Sequence, residues 1–298
     1  MAHAFDWVDA FTDTRFGGNP CAVVHDADDL SVETRTAFVR ETGLVECAYV
    51  VASDRADFGA RYYLAEREIP MAGHPTIATV TALAARGRID VSAGPVELTL
   101  EVGAGILPIR VVPRDGLPPL VTMTQGAPAF GATHAPAEIA EIYGLHADDV
   151  IGVPQTVSTG TPFCIAVLAG HEALRRARLD PHLLGAFRRR DGHPDADLME
   201  PFLVTLKGAT EAGDTFSRLL LAPPNPPEDP FTGSATGCMA AYLWAHGLIG
   251  TPGFTAEQGH WMGRPGSAQV RVLGPPEAVT GIEVAGAGVV VMQGRVDL

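Results

Sequence analysis

Four side chains of this 298-residue chain stand out as placed to move a proton or attack a carbonyl: Glu46, His74, Asp229 and Ser234. Glu46 interrupts the strand-like apolar run Leu44-Val45-Glu46-Cys47-Ala48-Tyr49-Val50-Val51. Facing inward, its carboxyl is desolvated and its pKa rises toward neutrality, the range in which one group both takes a proton and returns it. Facing outward, it is an ordinary solvated residue. His74 belongs to Gly73-His74-Pro75-Thr76, where Pro75 suits the first turn of a helix because its missing N–H leaves no bond unmade. That position favours a pocket over a purely structural histidine. Asp229 and Ser234 share the stretch Asp229-Pro230-Phe231-Thr232-Gly233-Ser234-Ala235-Thr236-Gly237, which opens directly onto an apolar helical run, Cys238-Met239-Ala240-Ala241-Tyr242-Leu243-Trp244-Ala245. Such a helix mouth binds anions, because its first N–H groups lack partners and the macrodipole is positive there.

Serine, histidine and aspartate together raise the alternative of a serine hydrolase with Ser234 as nucleophile. The nucleophile elbow wants glycine two residues to either side of the serine, and Thr232 and Thr236 hold those places. Asp229 lines the same loop as Ser234 more naturally than it orients a distant histidine. Proton transfer suits the four residues better: the helix mouths hold a substrate carboxylate and stabilise developing charge, while His74 and Asp229 position the rest.

The elements that must position these residues repeat. Shifting the sequence by 160 positions lays Gly73-His74-Pro75-Thr76 over Gly233-Ser234-Ala235-Thr236, then Leu83 over Leu243, Ala85 over Ala245, Gly87 over Gly247 and Ile89 over Ile249. Each copy is an apolar helix, near 75–87 and 235–247, closed by a glycine suited to a C-cap. Two alanine-rich helices can match by chance, but Thr99-Leu100-Glu101 and Thr255-Ala256-Glu257 also occupy similar places before a glycine-rich turn and a strand. So long a period indicates a duplicated unit with two helix mouths facing one site. Strands are expected over 5–11, 21–24, 44–51, 57–65, 96–102 and 106–112, and a capped helix from Ser31 to about Arg40. Pro113-Arg114-Asp115-Gly116-Leu117-Pro118-Pro119 is the best linker, dividing the chain into halves at 1–118 and 119–298. The second half mixes strands near 120–125, 163–168, 202–206 and 216–221 with helices near 137–143 and 181–190, and two short strands at 281–284 and 288–292 close the chain. The last of these is a candidate to return to the N-terminal half. The class is α+β, each half a sheet wrapped round one central apolar helix.

Composition narrows the partners. A formal charge of −14 argues against nucleic acid and anionic membranes, which need a basic face; the arginines at 175, 176, 178 and 188–190 are expected on a solvated helix face. No apolar run approaches the roughly 18–20 residues of a membrane span. The first residues show neither a basic region nor an apolar signal core, so a cytoplasmic protein is expected. Cys21, Cys47, Cys164 and Cys238 form no C-x-x-C pair and suit buried thiols. No metal-ligand spacing, P-loop or dinucleotide fingerprint is present, and Lys207, the single lysine, is the only residue able to carry pyridoxal phosphate. Cofactor-free chemistry is expected.

Phe5-Asp6-Trp7-Val8-Asp9-Ala10-Phe11-Thr12 with Gly18-Asn19-Pro20, then Glu46, Gly73-His74-Pro75-Thr76 and Glu228-Asp229-Pro230-Phe231-Thr232-Gly233-Ser234-Ala235-Thr236-Gly237, run in the order of one known family. With Gln258-Gly259 and Gly263-Arg264-Pro265 they make the chain resemble the phenazine biosynthesis PhzF-like family over essentially its whole length. The resemblance implies the diaminopimelate-epimerase fold, two pseudo-symmetric halves with the active site in the cleft. It implies an isomerase with Glu46 as acid/base and Asn19, Gly73, His74, Asp229, Gly233 and Ser234 around the substrate. The family's best-known member isomerises trans-2,3-dihydro-3-hydroxyanthranilate without a cofactor, as a homodimer. Related epimerases use two cysteines at the helix mouths, where this chain has His74 and Ser234, with Cys238 about one turn further in. The family usually has Ser-Glu-Thr around the glutamate, whereas Val45 and Cys47 flank it here. Besides the hydrolase, a non-catalytic member that binds a metabolite or a protein remains the alternative.

Overall fold

A computed structural model describes residues 2–190 and 199–298. The first half runs β1 (Ala2–Ala10), β2 (Asn19–Val24), α1 (Val32–Thr42), β3 (Cys47–Val51), β4 (Phe58–Tyr63), β5 (Glu68–Ile69), α2 (Gly73–Ala85), β6 (Val96–Val102), β7 (Gly105–Arg114) and β8 (Leu117–Gln125). The chain continues through β9 (Ala129–Thr133), α3 (Pro136–Ile142), β10 (Val150–Ser158), β11 (Pro162–Leu168), α4 (His171–Arg176), α5 (Pro181–Arg190), β12 (Phe202–Thr205), β13 (Thr215–Leu220) and β14 (Glu228–Asp229). It ends with α6 (Gly233–Ala245), β15 (Gly253–Gln258), β16 (Gly266–Leu273) and β17 (Gly281–Asp297). The architecture is α+β with mixed sheet. No helix among the described residues is long and apolar enough to cross a membrane.

Local signals account for the elements that matter. Ser31 caps α1 by accepting from Thr34 N, and Gly43 closes it in the left-handed conformation. Helices α2 and α6 are apolar on all sides, as a core helix must be, and each is buried from its first residue through Leu83 or Leu243. Both end alike. Gly87 and Gly247 take positive φ, and Arg88 N–H returns to Leu83 O as Leu248 N–H does to Leu243 O, at 2.9 and 2.8 Å.

One succession of strand pairings occurs twice. β1–β2 is antiparallel, β2–β3 parallel, β3–β4 and β4–β5 antiparallel, β4–β6 parallel, and β6–β7 and β7–β8 antiparallel. The strands from β10 to β17 repeat these senses in the same order. The two sets are stitched together: β8 pairs with β17, β9 with β10, and the far end of β17 with β1.

Two sequence expectations are corrected. Residues 113–119 are no linker but the tip of the β7–β8 hairpin, with Arg114 opposite Leu117 and Gly116 at φ 67°. Asp115-Gly116 is a two-residue hairpin turn, a signal hidden by the surrounding prolines. The strands expected at 281–284 and 288–292 are one continuous strand. Gly286 and Gly288 do not break it; their missing side chains admit the Phe11 ring and the Thr81 side chain, which an added Cβ would approach to 2.3 and 2.4 Å.

Candidate active site

The two buried helices meet mouth to mouth. A Cβ on Gly73 would lie 2.5 Å from Gly233 Cα and from Ser234 N, so the backbones are in direct contact. Phe11 and Phe231 stack beside them at 4.2 Å between ring centroids. Next to this junction lies a cavity of about 480 Å³ whose wall includes Glu46, Asp229, Thr232 and Ser234. His74, Asn19, Gly73 and Gly233, expected around the substrate, are not among the residues that line it.

Glu46 is not inside a strand, as the apolar run suggested. It occupies the bend between Gly43, which closes α1, and Cys47, which starts β3. Its side chain is only 13% exposed, and Oε2 lies 3.6 Å from Nδ1 of the buried His74. Among the described residues neither Glu46 Oε2 nor His74 Nε2 has a hydrogen-bond partner. Burial, reinforced by the charge of Asp229, pushes the Glu46 carboxyl well above the usual carboxylate range. Burial also lowers the His74 pKa to about 3, so its imidazole is neutral. Of this pair only Glu46 lines the cavity, so its perturbed carboxyl is the group that can meet a ligand. The flanking residues do not satisfy the carboxyl: Val45 lines the cavity, and the Cys47 thiol lies 3.7 Å from Thr42 Oγ1.

Asp229 is held from several sides. Asn19 Nδ2 donates to Oδ1 at 2.7 Å, and Thr232 Oγ1 donates to Oδ2 at 2.5 Å. Asn19 also donates to Phe231 O, tying the first strand pair to the loop before α6. Burial raises the Asp229 pKa to about 7, against the hydrogen bonds of Thr232 and Asn19. The pairings of a hydrolytic triad are not made, because His74 Nδ1 faces Glu46 and the Asp229 oxygens are taken by Asn19 and Thr232.

The raised Asp229 pKa predicts a pH-dependent stability. A carboxyl with an unfolded value near 3.8 and a folded value near 7 contributes fully below 3.8. That contribution is lost as pH rises toward 7, because only the unfolded chain ionises in this window. Asp229→Asn fits the same place, with the amide oxygen facing Asn19 and its NH₂ facing Thr232. Its stability relative to wild type is expected to rise between pH 4 and 7 in urea titrations, and a gap that stays flat over that range refutes the assignment.

Two residues were given no place in the site from sequence. Gln258 Oε1 accepts from Thr232 N at 3.0 Å while Nε2 donates to Asp229 O at 2.7 Å, locking the loop that carries both acids and hydroxyls. Its only signal was the Gln258-Gly259 motif. Gln125, at the end of β8, donates to Gly233 O and accepts from Thr159 Oγ1, and nothing in the local sequence marks it. Lys207 is exposed and does not line the cavity. Among the described residues no group of three His, Cys, Asp or Glu side chains is placed to hold a metal ion.

Cys238 lies inside α6, with Sγ 3.5 Å from Thr159 Oγ1 and 3.6 Å from Thr161 O. Burial pushes its pKa up to about 11, against hydrogen bonds from Thr159, so it is a thiol and a poor base. Cys238→Ala is expected to keep most activity and to lose about 1 kcal/mol of stability to the small cavity created. Complete loss of turnover in a folded Cys238→Ala protein would bring back a thiol mechanism.

The α+β fold with mixed sheet is shared with hydroxyproline epimerase from Agrobacterium vitis, which matches over all of this chain and 93% of its own at a TM-score of 0.68 and 15% identity. The chain belongs to the phenazine biosynthesis-like protein family, whose model matches residues 8–294. It is 31% identical to trans-2,3-dihydro-3-hydroxyanthranilate isomerase of Pseudomonas aeruginosa, over 98% of this chain and 99% of that one. A PhzF-family phenazine biosynthesis protein from Bacillus anthracis matches at a TM-score of 0.84 and 26% identity, with both chains fully covered. The chain is a PhzF-like isomerase.

Proposed function

We propose that the chain moves a proton between carbons of a small, carboxylate-bearing and hydroxyanthranilate-like metabolite, without a cofactor, using Glu46 as acid and base. The carrying observation is the Glu46–His74 pair: a desolvated carboxyl with an unpartnered oxygen on the wall of a cavity, 3.6 Å from a neutral imidazole. A carboxyl whose pKa burial raises holds the abstracted proton long enough to deliver it elsewhere on the same molecule. The substrate carboxylate lies at the abutting mouths of α2 and α6, where backbone N–H groups offset charge that builds up in the transition state. Asp229, largely uncharged below its pKa of about 7, presents a carboxyl to the substrate's amino or hydroxyl group, and Asn19 keeps it in place.

This reading includes internal pseudo-symmetry, supported by the repeated order of strand senses and by the 160-residue offset between the helix starts Gly73 and Gly233. It also includes the homodimer implied by the family. The test is Glu46→Gln assayed on trans-2,3-dihydro-3-hydroxyanthranilate and related ligands. Lost turnover with binding retained supports the reading, and near-native turnover overturns it.

A further inference from the structure

The cavity wall is mostly apolar, with carboxyls contributed by Glu46 and Asp229, and the chain carries a net charge of −14. Neutral His74 brings no charge to the site. A carboxylate entering this space therefore meets helix-mouth dipoles and a single formal cation among the lining residues, Arg67. Arg67 comes from the turn between β4 and β5, whose backbone is pinned by Leu64 N–H donating to Arg67 O at 2.9 Å. Five residues, including the two of β5, separate Arg67 from Gly73 at the start of α2, so the guanidinium and the helix mouths are separate parts of the site.

Arg67 is half-buried and makes no ion pair with any described residue. Its neighbour Glu68 is engaged elsewhere, accepting from Tyr63 OH at 2.8 Å and facing Arg61. In the second half the matching turn has Leu221 N–H donating to Pro227 O at 3.0 Å, and Pro227 stands 160 positions after Arg67. One rim thus carries an unspent cation where the other carries proline. A free guanidinium fork beside an apolar slot matches a planar carboxylate.

We propose that Arg67 is a specificity-determining residue that holds a second acidic group of the substrate, so the preferred substrate class carries two acidic groups. The inference rests on the reading of the cavity as the substrate site. Isothermal titration of the full chain with anthranilate, 2-aminoisophthalate and 2-aminoterephthalate tests it. At least one dicarboxylate is expected to bind wild type about 10-fold or more tightly than anthranilate. Arg67→Ala abolishes that preference and leaves the anthranilate affinity unchanged, and Arg67→Lys restores part of it. Ser234→Ala, in contrast, weakens all three ligands. Dicarboxylates no tighter than anthranilate, or a preference that survives in Arg67→Ala, overturns the Arg67 inference alone. Anthranilate that fails to bind wild type, or binds Ser234→Ala unchanged, overturns the cavity reading and the inference with it.

Discussion

Glu46→Gln is expected to lower turnover by about 10²–10⁴-fold while leaving ligand affinity within a few-fold of wild type. Glutamine keeps the size of the side chain and can donate to His74 Nδ1, 3.6 Å away in the wild type, but cannot accept a proton from carbon. The size of the loss follows from the role: general acid–base catalysis supplies that range, whereas a merely structural carboxyl would show its loss in stability. Burying an amide in place of a carboxyl whose pKa burial has already raised costs little, so the variant should fold. Turnover in D₂O adds a second reading, because a proton parked on Glu46 exchanges with solvent in proportion to its residence there. Near-native turnover by a folded Glu46→Gln protein removes Glu46 from the reaction.

Gly73→Ala is expected to be nearly as damaging, for a different reason. The new Cβ would stand 2.5 Å from Gly233 Cα and Ser234 N, both backbone atoms at the start of a buried helix. No flexible side-chain end can swing aside there, so the two helix mouths must separate by on the order of 1 Å to restore ordinary van der Waals spacing. Overpacking of this kind costs about 1–3 kcal/mol of stability. A displacement of that size at the reacting centre lowers kcat/KM by about 10²-fold. Gly126→Ala is the control, since its Cβ would meet nothing within 4 Å. Native kcat/KM and Tm in Gly73→Ala would mean that the contact between the helix mouths is unimportant to the site.

The sequence alone determined the parts whose signals are local. Both core helices are 13 residues long and begin 160 positions apart, as the matched glycines and apolar runs required. Ser31 and Gly43 marked the ends of α1 because capping depends on the side chains at the helix ends and little else. Glu46, His74, Asp229 and Ser234 were recognisable as reactive residue types in motif positions. Tertiary structure decided what each of them faces. Periodicity states that a side chain is buried but not against what, so the pairing of Glu46 with His74 and the clamp of Asn19 on Asp229, 210 residues away, had no local trace. The same limit produced the errors at the hairpin tip and in β17. Prolines around Asp115-Gly116 resembled a linker, and glycines in β17 resembled breaks, until Leu117–Gln125 found its partners and the Phe11 ring and the Thr81 side chain filled the spaces at Gly286 and Gly288. Burial sets the pKa values that make the site reactive, and burial belongs to the assembled sheets and helices rather than to any segment of the chain.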